Sequence, residues 1–365
     1  MADRERGEDR GGKNGEKSGD DATIRFTRRV LIVIGLASLV AVLLYFAGQL
    51  IDVLLLVFAG ILAAVAIDGV VRLCQRYLPI GRRWALVIAL LLICLALGGM
   101  GAVIGPRLAE QLPLLVEQLP QAFRRLTEVI QGLPGVQTAL AEVENPASLL
   151  GQSVFDRFTA VFSTTFGALT NFFLILLVGF YLVLSPHDYM KQVVLMFPPA
   201  RRQRVRQLLS VQGRALRLWL LSRLISMVFV GVGVALGLVL LGVPMAGALG
   251  LIAGLFSFIP YLGPIIGVAP TILIAFLESP VLALYAIGLY LVIETVESNI
   301  VMPLAAKEMV SLPPAFTVVV QLAGAAVAGV AGVILATPLA VVAVVAVQML
   351  YIEDVLGDDV DVLGE

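Results

Sequence analysis

The chain has 365 residues, 59% of them hydrophobic and only 14% charged, with a mean hydropathy of +0.99. A soluble domain is nearer half apolar and a quarter charged, so this surplus of apolar surface needs lipid as its solvent. A net charge of −1 without a basic or aromatic stripe gives no footing for nucleic acid, and two cysteines do not make a disulfide framework.

Residues 1–29 mix charges of both signs with Gly and carry no apolar periodicity, the pattern of a disordered tail. No cleavable signal peptide is expected, because the first apolar run starts late and no Ala-x-Ala-like site follows it. A membrane span needs about 20 mostly apolar residues. Residues 30–106 hold three, Val30 to Gly48, Leu50 to Val70 and Trp84 to Ile104. Cys74 and Cys94 fall in or beside these runs and read as small buried hydrophobes.

Residues 107–157 are more polar and form an extracytoplasmic amphipathic segment. In it Leu112, Leu115, Leu119, Phe123, Leu126 and Ile130 recur at helical steps, while Pro113 and Pro120 predict a kink. This helix either lies on the membrane or packs plainly against its neighbours. A fourth span covers residues 158–184, and residues 185–222 form an Arg-rich amphipathic segment suited to an anionic leaflet. His187, the only histidine, has no companion ligands and reads as a surface residue. Residues 223–350 follow as a membrane core with candidate segments Leu224 to Leu241, Ala246 to Leu277, Val281 to Met302 and Pro313 to Leu350. The chain closes on an acidic tail, 351–365. The expected fold is an all-α polytopic membrane protein with about eight membrane segments, two of them too long for one ordinary span.

Basic residues set the orientation. Arg25, Arg28 and Arg29 precede the first span, and Arg72, Arg76, Arg82 and Arg83 follow the second. Another cluster runs from Lys191 to Arg223, so the N-terminus and both Arg-rich loops are expected in the cytoplasm. Beyond Arg223 the only basic residue is Lys307, which leaves the later topology open.

Polar groups and helix breakers in the apolar core point to a site. Glu294 and Glu297 lie three residues apart in an apolar helix and therefore share a face, followed by Ser298 and Asn299. A charge within a span costs about 2.5–3.5 kcal/mol on insertion scales. Two on one face need a cavity, a cation, a proton or a partner, unless both reach the interface at the helix end near Pro303. The expected partners are Ser298, Asn299 and backbone groups left unpaired near Pro260 and Gly263. Helix breakers at membrane depth are tolerated where the backbone is buried in protein or lines a cavity. "PYLGP", with Pro260, Tyr261, Gly263 and Pro264, interrupts Ala246 to Leu277, as a kink or a re-entrant hairpin. Gly324, Gly329 and Gly332 interrupt the last segment, and the two interruptions echo each other: Pro244 and Pro314 each precede a Gly, Gly254 and Gly324, by ten residues. Paired interrupted segments are the sequence pointer to a transporter site between repeats.

"FSFIPYLGPIIGVAP", "ESNIVMPLAAKEMVSLPP" and "AGVAGVILATPLA", in that order, resemble the autoinducer-2 exporter family of bacterial membrane proteins. The likeness runs from about Phe158 to Val347. Pro260 to Pro264, the Asn299-to-Pro303 step and Gly332 to Pro338 match its three signature stretches. Ala306-Lys307 and Leu312-Pro313-Pro314 depart from its common pattern, and Glu294 stands where uncharged polar residues are common. The resemblance implies a homo-oligomeric, multi-pass inner-membrane transporter, with family members associated with export of autoinducer-2 and some with sodium–proton exchange.

With no Walker-type phosphate loop, a driving force is expected from an ion gradient. The leading reading is a secondary transporter, an exporter of a small polar solute, coupled to H+ or Na+. A sodium– or lithium–proton antiporter using Glu294 and Glu297 is the alternative within transport. From other classes, a non-transporting scaffold would leave breakers and carboxylates without a role. An intramembrane enzyme lacks H-E-x-x-H, paired His or Asp, or a Ser with a base. No cofactor or metal is expected, and membrane lipid and a second copy of the chain are the expected partners.

Overall fold

The computed structural model describes residues 48, 50–131, 165–305, 312–358, 360 and 362–363. The tail 1–29, the first span apart from Gly48, residues 132–164 and the Ala306-Lys307 departure lie outside the described residues. The chain divides into two compact units, 1–54 and 55–365, and everything below concerns the second, apart from the start of the first described helix.

The described elements are all helical, and five helices are long and apolar enough to cross a membrane, six if a bent pair counts as one span. Helix α1 (Leu50–Tyr77) ends before Pro79, and α2 (Arg82–Gln131) begins just beyond it. At 50 residues, α2 joins the third expected span and the start of the 107–157 segment into one helix. It runs through Pro106, Pro113 and Pro120. Their spacing of seven puts the three missing N–H groups on one side, where the helix tolerates them better than an interruption all round. Leu115 and Leu119 are buried and pack into the core of the later helices, so this amphipathic face serves neighbour packing. Cys74 is buried as expected, but Cys94 is exposed on the apolar surface of α2.

Helix α3 (Thr165–Leu184) meets α4 (Pro186–Leu195) at an angle of 86°, with Pro186 opening the second helix. His187 is exposed. Helix α5 (Arg202–Leu241) then runs for 40 residues, fusing the end of the Arg-rich segment with the span after it. Its apolar faces separate cleanly: Val230, Val234 and Leu238 are buried, while Val228, Val232, Leu236 and Leu240 are exposed at four-residue steps. Gly242, at φ 73, stops it in a left-handed cap, with the Val243 amide donating to Leu238 O at 2.9 Å.

The basic loops gather at one end. Asp68 accepts from Arg72 at 2.7 Å and Arg82 at 2.8 Å, and Arg217 of α5 lies 3.6 Å away. Farther toward the start of α5, Arg204 holds Glu353 at 2.6 Å and Asp354 at 2.8 Å, both in the π-helical close of the chain, Gln348–Leu356.

Both interrupted segments fold back as helical hairpins. The first comprises α6 (Ala246–Phe256) and α7 (Leu262–Glu278). A Cβ on Gly267 would stand 3.1 Å from Ala253 Cα, although a continuous helix would set these residues about 21 Å apart. Gly263 sits directly against the Phe256 carbonyl, which no side chain could do. The loop between the arms leaves fewer backbone groups unpaired than its prolines suggest. The amides of Phe258, Ile259, Leu262 and Gly263 donate to Leu255, Phe256, Pro260 and Ile259 carbonyls at 2.7–3.2 Å. Tight local turns thus replace the helical ladder.

After α8 (Pro280–Val296), capped by Ser279 accepting from the Leu282 amide, the helix widens into a π turn at Glu297–Val301 and continues as Met302–Ala305. The last long segment, α9 (Pro314–Val347), breaks at Ala328 and Gly329, the latter at φ 57 and ψ −135. Gly324 and Gly332 then meet backbone to backbone across the break, a Cβ on Gly324 falling 2.6 Å from Gly332 O.

The two hairpins approach along α5 from opposite ends. Going up α5, Arg204 bonds Met349 O and Gln212 bonds Val342 O, both from the second hairpin's outgoing arm. Beyond the middle, Gly254 packs on Met227 and Gly231, and Gly250 on Ala235. Lipid tails are as apolar as these side chains, so close backbone approach rather than water exclusion holds α6 on α5. Trp219 of α5 and Phe258 of the first hairpin's loop stack edge to face at 5.4 Å where the two regions meet.

Candidate functional site

At this meeting point lies a cavity of about 770 Å³. Helix α5 contributes Trp219, Ser222, Arg223 and Ser226 to its wall, and the first hairpin contributes Ser257, Ile259, Pro260, Tyr261 and Pro264. Helix α8 and its π turn supply Glu294, Thr295, Glu297 and Ser298, and the second hairpin supplies Thr317 and Thr337. The volume suits a small solute.

Each polar group is placed by its helix. Glu297 opens the π turn, whose extra residue per turn shifts the following side chains around the axis. It is 9% exposed, and its Oε1 accepts from Ser226 Oγ at 2.6 Å. Glu294, one turn earlier, is half-buried, and its Oε1 has no partner. Neither carboxylate therefore reaches out past the helix end. Arg223 points in from α5; its Nη2 lies 3.9 Å from Met302 Sδ, and its Nε is buried without a partner. Among the described residues Arg223 makes no ion pair, so one guanidinium and two carboxylates share a wall without closing on one another.

One side chain hydrogen-bonds across the two hairpins. Gln321, completely buried in α9, donates through Nε2 to Pro260 O at 2.8 Å and to Thr337 Oγ1 at 3.3 Å. The carbonyl of the first interruption is thereby held by the second hairpin.

Of the residues singled out in the sequence, Glu294, Glu297, Ser298, Pro260, Tyr261, Pro264 and Pro303 line the cavity. Gly263, Gly324, Gly329 and Gly332 do not; they shape the hairpins that carry the wall. Asn299 is turned away, its Nδ2 donating back to Thr295 O at 2.9 Å, and Ser298 Oγ donates to Glu294 O at 2.8 Å. Neither side chain bonds a carboxylate, contrary to expectation, because both satisfy carbonyls of their own helix. The partner of Glu297 is Ser226, 71 residues away in sequence. Arg223, Ser222, Ser226 and Gln321 were missed. Arg223 reads as the end of a basic run, but Gln321 is the lone amide in an apolar stretch of 34 residues, a signal that was available.

Residues 32–352 match the family described as "AI-2E family transporter". The chain belongs to this family. The AI-2E match covers both hairpins and the cavity between them. The chain is also 25% identical over 297 residues to "Putative transport protein YueF" of Bacillus subtilis, covering 78% of this chain and 80% of that protein. Two further similarities are shorter. "Putative transport protein YrrI" of the same organism is 30% identical over 172 residues, 47% of this chain and 48% of that protein. "Putative transport protein sll0063" of Synechocystis is 28% identical over 210 residues, 57% of this chain and 51% of that protein. The residues that carried the resemblance in the sequence are those that form the hairpin loop, the π turn and the second hairpin.

Proposed function

We propose that this AI-2E family protein is an ion-gradient-driven secondary transporter that exports a small polar solute across the bacterial inner membrane, with its basic end in the cytoplasm. The observation that carries the proposal is the bond from Gln321 to Pro260 O. It joins two broken segments, entering from opposite ends of α5, at the wall of a cavity that holds two carboxylates. A carrier needs a site reachable from either side in turn, and hairpins that enter from opposite ends and meet supply one gate for each side. Separation of the hairpins at Gln321 would open the cavity one way, and displacement of α6 and α7 from α5 would open it the other.

A sodium–proton exchange reading draws support from Glu294, whose unpartnered oxygen beside a second carboxylate gives a cation and a proton one place to compete for. Purified protein in proteoliposomes separates the readings. Under imposed sodium or proton gradients, solute-dependent flux supports the exporter, and solute-independent cation–proton exchange supports the antiporter. A sealed, protein-bearing vesicle that moves neither would contradict both.

A further inference from the structure

The chemistry of the cavity wall restricts what it can hold. A hydroxyl has one hydrogen to donate and two lone pairs to offer. Six of the lining hydroxyls have spent that hydrogen on the protein. Ser222 donates to Trp219 O at 2.6 Å, Ser257 to Ala253 O at 2.9 Å, and Thr295 to Leu291 O at 2.6 Å. Ser298 donates to Glu294 O at 2.8 Å, Thr317 to Pro313 O at 3.2 Å, and Ser226 to Glu297. What these groups have left to offer is oxygen lone pairs, and the lining carboxylate of Glu294, one of whose oxygens is buried without a partner, adds to them. The one charged donor in the wall is Arg223, whose guanidinium makes no ion pair among the described residues.

Two consequences follow. An acceptor-rich wall leaves buried oxygens unsatisfied unless the occupant brings donors, and each such loss costs binding. The formal charge of the wall, two carboxylates against one guanidinium, is −1, so a single positive charge balances it at a depth where an unbalanced charge is costly. Trp219 and Tyr261, two aromatic residues of the kind that favour cations, stand in the same wall.

We infer that the solute is a small protonated primary amine that also carries one hydrogen-bond acceptor. Its ammonium, with three N–H donors, meets the Glu294 carboxylate and the neighbouring hydroxyl oxygens, while its acceptor takes a hydrogen from the Arg223 guanidinium. The inference rests on the transporter reading and names the substrate class of that cavity.

Ethanolamine is the probe of this class. Choline keeps the charge and hydroxyl but has no N–H donor; glycerol has donors without charge; glycolate reverses the charge; sodium chloride supplies the bare cation. The full-length protein in proteoliposomes is assayed for radiolabelled ethanolamine counterflow, with each other compound as competitor, alongside sodium–proton exchange. Ethanolamine should enter by counterflow and raise the thermal unfolding temperature in detergent, with choline, glycerol and glycolate at least about tenfold weaker. Glu294→Gln should lose about tenfold or more in ethanolamine affinity while its helical content and elution profile match the parent. Choline competing as well as ethanolamine, or unchanged affinity in Glu294→Gln, would overturn the inference. Sodium–proton exchange without any ethanolamine effect would overturn the amine class and leave transport standing. Absence of all flux from correctly folded protein would overturn both.

Discussion

Arg223 shares its cavity wall with two carboxylates, and an apolar surrounding resists unbalanced charge more than any other local feature. Arg223→Gln leaves Glu294 and Glu297 facing each other without the guanidinium, so the solubilised protein should unfold at lower temperature. Adding Glu297→Gln restores one net negative charge and should recover part of that loss, with a coupling of about 0.5–3 kcal/mol. Thermal unfolding of the parent, both single variants and the double variant measures it. Strictly additive losses would show that the groups do not feel one another. Glu294 and Glu297 were legible in the sequence because a charge in an apolar helix has few explanations. Ser226 was not, because a serine in a membrane helix is ordinary, and only the fold places it 2.6 Å from Glu297. Arg223 was hidden by its position at the end of a basic run, where reaching to the interface is the simpler account.

The interrupted segments act as elements rather than as damaged helices. From the sequence, Pro260→Ala and Gly263→Leu look equivalent, each letting helix continue through the break. The hairpin separates them. Pro260→Ala keeps the carbonyl that Gln321 holds and the turn around it, so transport should stay within about twofold of the parent, given that substitutions that break no contact have small effects. Gly263→Leu would drive a side chain into the Phe256 carbonyl and must force α7 away from α6. Its flux should fall to background, with a lower unfolding temperature. Flux in proteoliposomes with matched protein content checks both, and a Gly263→Leu variant as active as Pro260→Ala would contradict the hairpin. Gln321→Leu fills similar space but leaves Thr337 without its donor and unties the hairpins. It should cost about 1–3 kcal/mol in stability and slow flux, measured by unfolding and counterflow together. The existence of two interruptions was readable from Pro and Gly spacing. Their folding back was not, since the deciding contacts, Ala253 with Gly267 and Gly324 with Gly332, are tertiary.

At the scale of the whole molecule, Asp68 draws Arg72 and Arg82 to Arg217 of α5, and charge counting puts these Arg-rich loops in the cytoplasm. With Cys74 and Cys94 replaced by Ala, a single cysteine at Arg206 should resist a membrane-impermeant thiol reagent in intact cells and react after permeabilisation. Ready labelling from outside would reverse the orientation. The central claim is that the cavity between the hairpins carries the ion-coupled step, and Glu297 is its most buried charge. The most direct measurement is ion-driven flux in proteoliposomes holding equal amounts of the parent and Glu297→Gln. Glutamine keeps the shape and can still accept from Ser226, so only the charge changes. The account predicts gradient-driven flux in the parent and none above empty vesicles in Glu297→Gln, with both proteins inserted and folded alike. Equal flux from the two would contradict it.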